Sequence, residues 1–275
     1  VIPEVLSDVG TGGVYVGVGP DQNFTYVTAM RPRISFIVDI RRQNMLQHLM
    51  YKALIEMSSD RAEFLGRLFS RDWGTELEPG LAADSLFTLM GTLPRDSTLF
   101  LANFAAILDR LTRHHHFVLD SEDSASLHYI YGAFFEAGSG LTYSSNSMRG
   151  FGGRGMPSYR MLMEATDDEG NNRSYLGTDE AFATLKDLQE RNLIVPVVGD
   201  FAGPKALRAV GDWVRDRDAV VDVFYVSNVE QYLFQQGDDW RRFYENVATM
   251  PRGRRALFIR SISNRGWRPR QHPYA

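Results

Sequence analysis

The chain alternates short, almost unbroken apolar runs with longer stretches whose apolar residues return every three or four positions. Residues 13–17 (GVYVG) are a short apolar run closed by glycine, and Gly17-Val18-Gly19-Pro20 is a turn signal. Over 22–30, Phe24, Val27 and Met30 stand at helical spacing, with a stop before Pro32. Residues 34–40 (ISFIVDI) form a near-continuous apolar run, as expected of a strand covered on both faces. Strand, glycine turn, helix and strand make a crossover unit of a parallel sheet.

The period then becomes helical and stays so through 42–138. Met45, Leu46, Leu49, Leu54 and Met57 mark the first helix, and Asp60 with Glu63 forms a capping pair before Phe64, Leu65 and Leu68. Segments 82–90, 99–111 and 124–135 continue the pattern. The stretch 139–157 is irregular and rich in Gly, Ser and Arg, the composition of a mobile surface loop or a substrate-closing lid. A second α/β half follows, with a helix over 178–191, a strand over 193–198, a helix over 204–217 opened by Pro204, a strand over 219–226, a helix over 240–250 and a last strand over 256–262. Pro196 inside a strand removes a ladder donor, so a bulge or unpaired position is expected there. The pattern predicts a single Rossmann-like α/β domain over 1–275. Its sheet is mainly parallel, with a large helical insertion or cap (42–138) after the second strand.

Composition narrows the chemistry. With 44% hydrophobic and 23% charged residues, the 275-residue chain is globular and long enough to bury a core. It has no Cys, which excludes disulfides, thiolate metal sites and thiol nucleophiles. No apolar run approaches the ~20 residues that span a bilayer, and no secretory apolar segment opens the sequence, so a cytoplasmic protein is expected. The net charge of −4 argues against a general polyanion binder and against nucleic acid as the partner. From Arg241 to Ala275, however, nine Arg face a single acid, Glu245. This is either an Arg-rich solvated face or a phosphate-touching tail. Three successive residues on a helix cannot share one ion, so His114, His115 and His116 do not spell a metal site. Motifs of serine hydrolases and P-loop nucleotide hydrolases are absent.

The strongest constellation is Gly17-Val18-Gly19 after the first strand, with Asp39 ending the second. Glycines let a cofactor approach the backbone, the next helix offers free N–H groups, and an acid at the following strand tip can accept ribose hydroxyls. The alternative is a tight turn plus a capping Asp. Gln22 stands where the dinucleotide fingerprint has its third glycine, which disfavours NAD and FAD. Asp200, Asn228 and Glu230 follow strand ends, where open sheets bind ligands. Asp200 and Glu230 are either catalytic groups, Glu230 as a general base, or helix caps; Asn228 is placed as a cap or a substrate contact. In the irregular loop, Arg149 and Arg154 could clamp an anionic substrate and Tyr143 could stack on it.

The segments VYVGVGPDQN and FIVDIRRQN resemble the first two motifs of class I S-adenosylmethionine-dependent methyltransferases. More closely, GVGPDQNFTYV, FIVDIRRQN, NLIVPVVGDFAGPKA and FYVSNVEQYL resemble a bacterial family with that fold signature and no assigned reaction. The resemblance implies S-adenosylmethionine as cofactor, held by Gly17, Gly19, Asn23 and Asp39, and methyl transfer to a small-molecule or peptidic acceptor. The chain departs from the pattern in lacking an acid near Tyr15 or Val16, and an Asn-Pro-Pro-Tyr type motif. A non-catalytic Rossmann-like scaffold is the rival reading, with an NAD-linked oxidoreductase behind it.

Overall fold

The computed structural model describes residues 2–142 and 157–260. Five strands, β1 (Val14–Gly17), β2 (Ile34–Asp39), β3 (Ile194–Val198), β4 (Val221–Ser227) and β5 (Arg252–Arg260), form one all-parallel sheet in the order β3-β2-β1-β4-β5. The chain moves outward from β1 to β2 to β3, then crosses back to β4 on the other side of β1. The reversal lies between β1 and β4, the place where open α/β sheets form a crevice beyond their strand ends.

Twelve α-helices are described: α1 (Ile2–Val9), α2 (Gln22–Met30), α3 (Arg42–Glu56), α4 (Arg61–Phe69), α5 (Ala83–Thr92), α6 (Ser97–Asp109), α7 (Ser121–Ala137), α8 (Tyr159–Glu164), α9 (Asp179–Glu190), α10 (Ala206–Arg215), α11 (Val229–Leu233) and α12 (Asp239–Ala248). No helix of the described residues is long and apolar enough to cross a membrane. Helices α3 to α9 all lie between β2 and β3 in the chain. Of these, α3 packs on β2 and β3 and also against α7 and α9, which accounts for burial on nearly all its faces.

Why the strands read as continuous apolar runs is visible in the core. Every residue of β1 and β2 is buried. Tyr15, Ile37, Val223 and Tyr225 belong to one apolar cluster with α2, α3 and α9. Val16, Phe36, Val38, Phe224 and Val226 belong to a second with α10 and α12. The two-residue alternation of a strand thus feeds two separate cores, one per face.

The segments α2 and β2 fall where the periodicity puts them. The Asp60–Glu63 pair is a working cap: Asp60 accepts from the Glu63 N–H at 2.8 Å, and Glu63 accepts from the Ser59 N–H at 2.7 Å. Two expectations are corrected. Pro196 causes no bulge: β3 pairs with β2 in unbroken register from Ile194 to Val198. The β2-facing backbone groups of this segment are those of Leu193 and Gly199, so odd-numbered residues face β2 and Pro196 turns its missing donor to the open edge. Pro204 does not open its helix, since α10 begins at Ala206. Helices α1, α8 and α11 are not among the elements expected from the periodicity, although Ile2, Val5, Leu6 and Val9 of α1 stand at helical spacing.

Candidate functional site

The turn after β1 is built on one buried carboxamide. Asn23, in the first turn of α2, accepts from the Tyr15 hydroxyl at 2.9 Å through Oδ1. Its Nδ2 reaches the carbonyl oxygens of Val18 (3.0 Å), Gly19 (3.1 Å) and Pro20 (2.6 Å). This geometry requires glycine at 17, because a Cβ there would lie 2.0 Å from Asn23 Oδ1. Gly19 takes φ +80, with nothing within 4 Å of a would-be Cβ. In a trans peptide the C=O and the following N–H point to opposite sides. With three successive carbonyls drawn towards Asn23 Nδ2, the peptide N–H groups of Gly19 and Asp21 point away from it.

A second support comes from α3. His48 is buried, and its Nε2 lies 2.9 Å from the Gly19 carbonyl oxygen. A carbonyl can only accept, so Nε2 carries the proton and Nδ1 is a bare acceptor. Nδ1 is buried and has no partner among the described residues. Burial lowers the imidazole pKa from 6.5 to about 4, outweighing the Gly19 bond and the nearby Asp39 charge, which favour the charged form. The turn is also tied to the helical layer: buried Asp21 accepts from the Tyr175 hydroxyl at 2.9 Å, and Tyr175 bonds Tyr159 at 2.7 Å.

Asp39 ends β2. Its Oδ1 accepts from the Arg41 N–H at 2.9 Å, and the Arg41 guanidinium stands 3.4 Å away. Its Oδ2 has no partner among the described residues. Asp39 pairs with Val198 in the ladder. On the α10 face of the sheet a cavity of about 560 Å³ is lined by Phe36, Val198, Asp200, Lys205, Val210 and Trp213, whereas Asp39, two residues after Ile37, lies on the α3 face.

The strand-end residues are not brought together on equal terms. Asp200 is exposed and closes its own turn, accepting from the Ala202 N–H at 2.9 Å. Asn228 is exposed and precedes α11 without a side-chain cap bond. Glu230 is buried and fully engaged: Oε1 accepts from the Tyr244 hydroxyl at 2.6 Å, and Oε2 from Arg260 at 2.7 Å. Burial and Glu230 push the Tyr244 phenol up to about 12, so it stays a donor. Ser227, at the end of β4, holds φ +49, a strained value for a non-glycine at the topological reversal. Tyr143, Arg149 and Arg154 lie outside the described residues. Sequence reasoning missed His48, Asp21 and Tyr175, whose roles depend on which elements pack against the turn. The only trace in the sequence is a polar residue at an apolar helical position.

A family model described as Domain of unknown function (DUF7790) matches residues 3–77 and 79–274. No curated protein matches the chain.

Proposed function

From the premise that the chain belongs to the DUF7790 family, we propose that it binds S-adenosylmethionine in the crevice beyond β1, β2 and β4 and transfers the methyl group to a small-molecule or peptidic acceptor. The observation that carries the reading is the pairing of a glycine turn after β1, where Gly19 at φ +80 leaves open space beside the backbone, with Oδ2 of Asp39 at the next strand tip. The open backbone at Gly19 suits the close approach of a ligand, and Asp39 suits a ribose hydroxyl. The donor set therefore fits the cofactor, which would supply a methyl group already activated on a sulfonium. The chain's own task is to hold cofactor and acceptor in line, and positioning alone is a large catalytic term. Glu230, clasped by Tyr244 and Arg260, serves this reading as a fixed anion bracing the end of β4. In the same reading the helices of 42–138 are an addition to the basic sheet fold that offers a surface to the acceptor.

Calorimetry with S-adenosylmethionine and S-adenosylhomocysteine tests the proposal. Saturable binding is expected, weakened at least tenfold by Asp39→Ala, a loss of about 1.4 kcal/mol. Absence of binding to the wild type, or indifference to the substitution, defeats it. One observation favours a non-catalytic scaffold instead: Asp39 is only 5% exposed and already caps the Arg41 N–H. That reading expects mass spectrometry to find no adenosyl compound released from the denatured, freshly purified protein.

A further inference from the structure

The opposite end of the sheet carries a second feature. Strand β5 does not follow β4 evenly. Between the pairs Val221↔Arg252 and Val223↔Leu257, β4 advances two residues and β5 advances five. The surplus residues bow away from the ladder, as a bulge must. Under the bow lies a cavity of about 370 Å³ whose lining includes Val247 and Met250 from α12 and its neighbouring turn, Phe224 from β4, and Ala256 and Phe258 from β5. The same stretch carries Arg252, Arg254 and Arg255, all exposed and all without an ion-pair partner among the described residues. Nearby, Arg215 pairs with Asp212 and Arg242 with Asp239. Two of these guanidiniums, Arg252 and Arg254, line the cavity, whose wall mixes apolar side chains with polar atoms, an arrangement complementary to a ligand with an anionic and an apolar part. Because the strands are parallel, this site lies at the far end of the sheet from Gly17 and Asp39, so it stands independently of the proposed transferase.

We propose that the β5 bulge is a binding site for a small amphipathic anion, a carboxylate or phosphate monoester whose head pairs with Arg252 and Arg254 and whose apolar part enters the cavity. Guanidinium is the side chain best shaped for both head groups, since its fork pairs two oxygens at once. The cavity volume is in the range of small-molecule sites and too small for a protein element. One carboxylate stands against the bulge: a Cβ built on Gly253 would lie 2.1 Å from Asp222 Oδ1. Its charge opposes an anionic ligand, so removing that charge should tighten binding.

The test is calorimetric titration of the full chain with octanoate, octyl phosphate, octylammonium, inorganic phosphate and a short single-stranded oligonucleotide. Octanoate or octyl phosphate is expected to saturate one site, and the preferred one identifies the head group. Octylammonium and inorganic phosphate should bind at least tenfold more weakly. Joint Arg252→Ala and Arg254→Ala replacement should weaken the anionic amphiphile at least tenfold, as should Ala256→Trp, which fills the cavity, while Asp222→Asn strengthens it several-fold. Asp39→Ala should leave this binding unchanged, which separates it from the transferase crevice. Circular dichroism identifies any variant that fails to fold, and the arginine pair, being exposed, then decides alone. Equal binding of octylammonium, indifference to the arginine replacements, or preference for the oligonucleotide overturns the proposal.

Discussion

The carboxamide of Asn23 holds three successive carbonyl oxygens and one tyrosine hydroxyl inside the protein. Asn23→Leu keeps the volume and removes all four bonds: the Gly19 carbonyl keeps His48 and the Pro20 carbonyl keeps the backbone N–H of residue 23, but the Val18 carbonyl and the Tyr15 hydroxyl lose their partner, each costing about 1–3 kcal/mol. A net loss of about 2–4 kcal/mol is expected from urea unfolding, together with loss of any ligand held by the turn. His48 gives a pH signature. Its folded pKa, about 4, lies below the ordinary 6.5, so the unfolded chain takes up the proton first. The stability it contributes is present above about pH 6.5 and is lost as pH falls towards 4, by up to about 3 kcal/mol. Unfolding midpoints at pH 7 and 4.5 should therefore diverge more in the wild type than in His48→Gln, which keeps a donor for Gly19 but cannot titrate. His48→Leu should lose both the bond and the pH dependence.

Among the elements, α3 is held to its neighbours by a buried charge cluster. Glu56 accepts from Lys52 at 2.5 Å, from Arg110 at 2.8 Å and from His115 at 2.7 Å, and the Lys52 ammonium also donates to the Gln189 carbonyl at the end of α9. Burial opposes the Glu56 charge, yet these three donors hold its pKa below the usual carboxylate range. Breaking such a group is costly because the remaining charge is stranded. Glu56→Gln is expected to lower stability by about 3–5 kcal/mol in thermal or urea melts. At the sheet edge the outcome is opposite: Pro196 owes β2 no hydrogen bond, so Pro196→Val should change stability by less than about 1 kcal/mol. It would, however, free an edge N–H, and light scattering should show increased self-association.

For the whole molecule, β1 and β2 lie between two apolar cores and β5 forms an irregular edge. Hydrogen exchange should be slowest in β1, β2 and α3 and fastest at the start of β5; a protected Arg252–Arg255 stretch would contradict this. How much of this was legible in the sequence follows from range. Glycine turns, the 22–30 helix, the Asp60 cap and the apolar strands are local, set by φ/ψ preference and by periods of two and 3.6, and the residues themselves determined them. Strand order, the edge position that makes Pro196 harmless, the clasp on Glu230 and the support of Gly19 by His48, 29 residues away, arose only on packing. Those depend on long-range contacts, whose free energy comes from burial shared between distant segments. Neither segment carries that information alone.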